Sequence, residues 1–178
     1  MTEDFDDGDL RARSAALRAE WRDEEEEWTR AAFEHWEHGH TLVDIARDCM
    51  HRGDTVTFTT PHVVIRGVID AVGLDTVLVV DDDRVTDVHL VESGAIVLRV
   101  VRRARAGGTR GSAASSTFRA RLLEHESMPT VELGTFTLPD TLRGELRVGA
   151  DHVRVRSHDA AESFVPTSSV AWVRVSRL

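Results

Sequence analysis

The chain has 178 residues, 41% of them apolar and 30% charged, with a net charge of −9 and a single cysteine. That is the length of one domain or two small ones, and no run approaches the ~20 apolar residues of a membrane helix. Cys49 alone excludes an intrachain disulfide and a cysteine-based zinc site.

The opening Met1-Thr2-Glu3-Asp4-Phe5-Asp6-Asp7 is acidic and has no apolar core, so it does not read as a signal peptide, and a cytoplasmic location is expected. Residues 1–8 read as a disordered acidic tail. From Asp9, an N-cap residue, a helical pattern runs to about His38. Leu10, Leu17, Trp21, Trp28, Ala32 and Trp36 fall on one stripe of it, interrupted by Glu24 within the acidic run Asp23–Glu27. Three Trp on one amphipathic helix need a cover, which packing on the rest of the chain or a partner helix would supply. Gly39 closes this helix. Thr41 with Asp44 opens a second, short one with apolar Leu42, Ile45, Ala46 and Cys49, and Gly53 ends it. The two helices make an arm over residues 9–52, and Cys49 reads as a small buried hydrophobe.

β signals follow over residues 53–101. They are Thr55–Thr59, Val63–Val72 with a bend at Gly67, Thr76–Val80 after the turn at Gly73, Asp87–Val91, and Ala95–Val101 after Ser93-Gly94. Residues 102–116 form a Gly/Ala/Ser/Arg linker. Over residues 117–178 a short helix, Phe118–Glu126, leads into Thr130–Leu133, Leu142–Val148, His152–Arg156, Ser163–Pro166 and Val170–Val175. The second set repeats the first. Arg66-Gly67 matches Arg143-Gly144, Val72 to Val77 matches Val148 to Val153, and Ser93 to Arg99 matches Ser168 to Arg174. Internal duplication is the economical account.

A short helix followed by five bent strands with Gly in the second resembles the Sm-like or SH3-type small β-barrel. The likeness rests on Gly67, Gly73, Asp75, Gly144, Gly149 and Asp151 and covers residues 41–101 and 117–178. It implies two tandem five-stranded barrels, and for Sm-like proteins assembly through the fourth and fifth strands into rings that bind RNA. The family's RNA pocket uses amide, Tyr and Lys side chains. This chain contains no Lys, Asn, Gln or Tyr, a bias typical of high-GC genomes, so the resemblance carries the fold and not the RNA site.

Charge is unevenly spread. Met1–Asp54 has 16 acids against 7 Arg, Thr55–Leu98 has 7 against 2, and Leu122–Leu178 has 8 against 6. Between them Arg99–Arg121 has 7 Arg and no acid. Arg102, Arg103, Arg105 and Arg110 on a Gly-rich segment could reach phosphates, although no aromatics interleave to stack on bases. Docking to Asp23–Glu27 or Asp81–Asp83, within or between chains, is the competing use of this island.

Other constellations point to ordinary surfaces. His35, His38 and His40 crowd a helix end without a metal-binding pattern. Asp81-Asp82-Asp83 with Asp87 lacks the spacing and Gly of a calcium loop. The helix from Thr41 is followed by strands, not by a recognition helix. No Gly-x-Ser-x-Gly elbow, phosphate loop or dinucleotide fingerprint occurs, and His125 beside Glu124 and Glu126 reads as a chance pairing.

The expectation is therefore a mainly β protein with N-terminal helices (α+β), in which two tandem five-stranded small β-barrels follow a long amphipathic helix. Its expected role is non-enzymatic, that of an interaction or regulatory module using protein–protein contacts or self-association. Leu17, Trp21, Trp28 and Trp36 are its interface, and no metal, cofactor or small-molecule substrate is implied. The alternative is an RNA- or DNA-binding protein using Arg102, Arg103, Arg105 and Arg110.

Overall fold

The computed structural model describes residues 7–91, 96–104 and 116–176. The expected acidic tail, the Ser93-Gly94 turn and most of the basic linker lie largely or wholly outside them. The chain divides into two compact units at His40/Thr41. The first is one helix, α1 (Asp7–Gly39), stitched along its surface by local bonds: the Thr29 hydroxyl donates to the Glu25 carbonyl at 2.7 Å and Arg22 Nε to that of Arg18 at 3.1 Å.

The second unit starts with α2 (Leu42–Arg52). Its capping box is complete: Thr41 Oγ1 accepts from the Asp44 amide at 3.2 Å, and Asp44 Oδ2 accepts from the Thr41 amide at 3.0 Å. Gly53 ends the helix in the left-handed region, φ 72°, where a side chain would be strained. Five strands follow: β1 (Thr55–Thr59), β2 (Val64–Val72), β3 (Thr76–Asp81), β4 (Arg84–His89) and β5 (Val97–Arg102). Then come α3 (Phe118–His125) and five more: β6 (Val131–Thr135), β7 (Leu142–Val148), β8 (His152–Arg156), β9 (Glu162–Pro166) and β10 (Val170–Ser176).

The strands do not close into two barrels over residues 53–101 and 117–178. They form one antiparallel ten-stranded sheet, in the order β5-β1-β2-β3-β4-β10-β6-β7-β8-β9. The correction has a specific cause. β4 does not curl back onto β5; it pairs with β10 from Trp172↔Val88 to Ser176↔Arg84, and the ladder runs on into the second half. β4 also begins earlier than the sequence implied, at Arg84, because Asp82 and Asp83 alone make the turn after β3.

Within the sheet the order 5-1-2-3-4 recurs as 10-6-7-8-9, with matching registers. Val56↔Gly67 and Thr57↔Arg66 correspond to Val131↔Gly144 and Glu132↔Arg143. Thr57↔Arg99 corresponds to Glu132↔Arg174, and Val77↔Val88 to Val153↔Val165. The turns agree too. The Gly73 amide donates to the Thr76 carbonyl at 2.8 Å and that of Gly149 to His152 at 2.7 Å, while the Asp75 and Asp151 carbonyls each accept an amide at 2.8 Å, from Leu90 and Thr167. Gly67 and Gly144 sit where the backbones touch: a Cβ there would lie 2.3 Å from the Val80 carbonyl oxygen and 2.0 Å from that of Arg156.

Two apolar cores result. One joins Ala46, Cys49 and Met50 of α2 to Val56, Phe58, Ile65, Ile69, Val77, Val79 and Trp172. The other joins Phe118 and Leu122 of α3 to Val131, Leu133, Leu146, Val153, Val165, Val173 and Val175. β10 feeds both cores, which explains its unbroken apolar run Val170-Ala171-Trp172-Val173. Burial raises the Cys49 thiol above the usual cysteine range and keeps it protonated.

Candidate interaction edges

The outer strands of the sheet differ sharply from their counterparts at its centre. β10 is buried along nearly its whole length, whereas β5, in the same position of the other half, has every residue but Leu98 exposed. Trp172 is 2% exposed and its register equivalent Val97 is 56% exposed. β4 is buried from Thr86 to His89, whereas on β9 the equivalent of Asp87 is Phe164, 62% exposed. Among the described residues β5 pairs with β1 alone and β9 with β8 alone, so each offers one open rank of backbone groups beside exposed apolar side chains.

The junction that buries β4 and β10 is held by polar groups. Arg174 Nε donates to Thr86 Oγ1 at 3.0 Å, with its guanidinium 4.9 Å from the centroid of the Trp172 ring. Burial and the neighbouring Arg84 charge lower the Arg174 pKa. Asp87, fully buried, receives Arg121 Nε at 2.8 Å, a second Arg121 nitrogen at 3.3 Å and His125 Nε2 at 2.7 Å. Arg121 also binds Glu124. Burial alone would pull the Arg121 pKa down, but the Asp87 and Glu124 carboxylates outweigh it and hold it up. Asp87 and His125 form an acid–base pair sealed from solvent, which suits it to fastening α3 onto β4 rather than to chemistry on a ligand.

His89 completes the seam. Its ring stacks on Phe118 with centroids 4.2 Å apart, and Nδ1–H donates to the Val170 carbonyl at 2.9 Å. Burial pushes the His89 pKa down, against the smaller opposing pull of that carbonyl and of Asp75. Asp75 in turn accepts the first amide of α3, from Phe118, at 2.6 Å.

The basic island is partly dismantled. Arg121 belongs to Asp87, and Arg119 donates to the Gly149 carbonyl at 2.7 Å. Arg99, Arg102 and Arg103 are exposed on or beside β5, while Arg105 and Arg110 lie outside the described residues. The buried Asp54 ties the end of this strand to the start of β1, accepting the Ala104 amide at 3.0 Å and Arg52 Nε at 2.8 Å. Burial raises the Asp54 pKa, but those donors prevail and the net shift is downward.

On α1, Leu17, Trp21 and Trp28 are exposed, the two Trp at 70% and 78%, and Trp36 lies against His40 with ring centroids 4.3 Å apart. His38 Nδ1 is 2.6 Å from the Glu34 carbonyl, and no three potential metal ligands converge among the described residues. An open groove beside Gly144 is lined by Arg143 and Arg156 together with Glu145 and Asp159, a balanced charge set with no side favoured. Asp87 and His125 were each noticed in the sequence, one beside the acidic run Asp81–Asp83 and the other as a chance pairing with Glu124 and Glu126, but not as partners of each other, and Val97 and Phe164 were not singled out. A signal existed for Phe164: an aromatic on the short strand 163–166, where the first half carries Asp.

No family model matches the chain, and no curated protein matches it. No helix in the described residues is long and apolar enough to cross a membrane.

Proposed function

We propose that this protein is a non-enzymatic interaction module that works through protein–protein contacts made by its open sheet edges and its Trp-bearing helix. The observation that carries the reading is the pair of apolar edge strands, with Val97, Val100 and Val101 on β5 and Phe164 on β9. Edge strands with exposed apolar side chains are templates for pairing with another chain. The exposed Leu17, Trp21 and Trp28 of α1 add a second apolar surface, of the residue types that dominate interface energetics. The agreement of registers between residues 55–102 and 131–176 favours an origin by internal duplication. A cytoplasmic setting suits a chain with one buried cysteine.

The test pairs two titrations of the full chain. Self-association or partner binding should weaken on Trp21→Ala or Trp28→Ala and respond little to salt. Binding of single-stranded RNA or duplex DNA that falls steeply with salt, and vanishes with Arg102→Ala and Arg103→Ala, would overturn the reading in favour of nucleic acid.

A further inference from the structure

We infer that the partner of the two open edges is a second copy of this chain, bound head to tail with β5 of one molecule paired to β9 of the next in the register of the internal β4–β10 junction. This rests on the interaction reading above and names its partner. The argument starts from equivalence. β5 holds the position of β10 and β9 that of β4, so the sheet carries at its two ends the complementary halves of the junction it already makes at its centre.

Carrying the internal register outward sets Val97 opposite Val165, Leu98 opposite Phe164, and Arg99 opposite Ser163. The side chains then match in kind. Inside, Arg174 donates to the Thr86 hydroxyl; outside, Arg99 meets the hydroxyl of Ser163. Inside, Asp87 is held by Arg121 and His125 of α3. Aligning the two helices on their Thr41 and Thr117 caps puts Ile45 in the place of Arg121, so the outside counterpart is Phe164 against the half-buried Ile45 of α2, while Cys49, in the place of His125, is already covered within its own chain. A charged acceptor facing a cation has become an aromatic facing an aliphatic side chain, so both partners changed together. Pro166 is equivalent to His89, one residue beyond the paired stretch, so its missing N–H removes no ladder bond. The contact is heterologous, joining unlike surfaces, and propagates from copy to copy.

The experiment uses the full chain in sedimentation velocity and in oxidative cross-linking of an Arg99→Cys/Ser163→Cys double variant; buried Cys49 stays out of the reaction. The expected results are species at multiples of the monomer mass, a disulfide ladder from the double variant and none from either single variant, and collapse to monomer on Phe164→Asp. Because Phe164 is exposed, that variant should keep the wild-type circular dichroism and melting temperature. Association that survives Phe164→Asp, gives no ladder and is lost on Trp21→Ala overturns the head-to-tail pairing while supporting the broader interaction reading. A chain that stays monomeric at every concentration overturns the pairing alone; the broader reading falls only with the Arg-dependent nucleic-acid binding described above.

Discussion

His125 Nε2 lies 2.7 Å from Asp87 Oδ2, a buried contact across 38 residues that clamps α3 to β4. Asp87 is the common acceptor for His125 and Arg121, so removing it leaves the buried His125 ring without that partner and Arg121 with Glu124. Asp87→Ala should destabilise the fold by roughly 1–3 kcal/mol, the cost of leaving a buried polar group without its partner. Asp87→Asn, which keeps an acceptor oxygen, should cost less. Urea midpoints rank the two, and an unchanged midpoint in Asp87→Ala would overturn the role of Asp87 as a clamp.

The His89 ring gives stability a pH dependence. Its folded pKa is depressed, so above the free-histidine value of about 6.5 the ring is neutral in both states and its contribution is fully present. As pH falls below that value the unfolded chain takes up a proton that the folded chain resists, and stability declines. Thermal melts between neutrality and about pH 5 should show this decline, with a flatter slope in His89→Gln. Asp54, whose folded pKa is lowered, contributes stability present above the ordinary aspartate range and lost as pH falls below it. The two effects therefore set in at different pH as the solution is acidified.

Gly67 and Gly144 cannot accept a side chain without moving backbone. Gly67→Ala drives a methyl against the Val80 carbonyl and against Val79 Cγ1, 2.8 Å away. A loss of about 1–3 kcal/mol is expected, of the size seen for overpacking. Gly39→Ala is the control, since nothing lies within 4 Å of a Cβ there. Equal melting temperatures for the two Ala variants would contradict this account.

Trp172 and Val97 share one position in the repeated register but not one environment. Trp172→Ala should cost roughly 3–5 kcal/mol by opening a cavity between Gly134 and the first core. Val97→Ala should stay within about 0.5 kcal/mol in a dilute monomer, as surface changes do. If Val97→Ala proves costly only at concentrations where the chain associates, its position at an interface is confirmed by the difference.

Much of the fold was legible because strands alternate locally: the bends at Gly67 and Gly144 and the cap at Thr41 announce themselves within a few residues. The joining of the halves was not, because the Trp172↔Val88 pair connects positions far apart in the chain, and no local pattern says whether an edge closes on its own barrel or on another strand. The unbroken apolar run of β10 was the available clue, since burial on both faces erases alternation. Arg121 looked like part of a basic surface for the same reason: its partner Asp87 is 34 residues away. Contacts through strands were expected only as what the small-barrel resemblance implies, and Phe164 and Val97 stand out when compared with their buried counterparts.

The placement of β10 beside β4 also sets a timetable for synthesis. At about 5–20 residues per second, β4 leaves the ribosome several seconds before the strand that covers it. During that interval residues 41–104 hold an unpaired inner edge as well as the outer edge of β5. Until β10 arrives the nascent chain thus carries one more open edge than the finished fold.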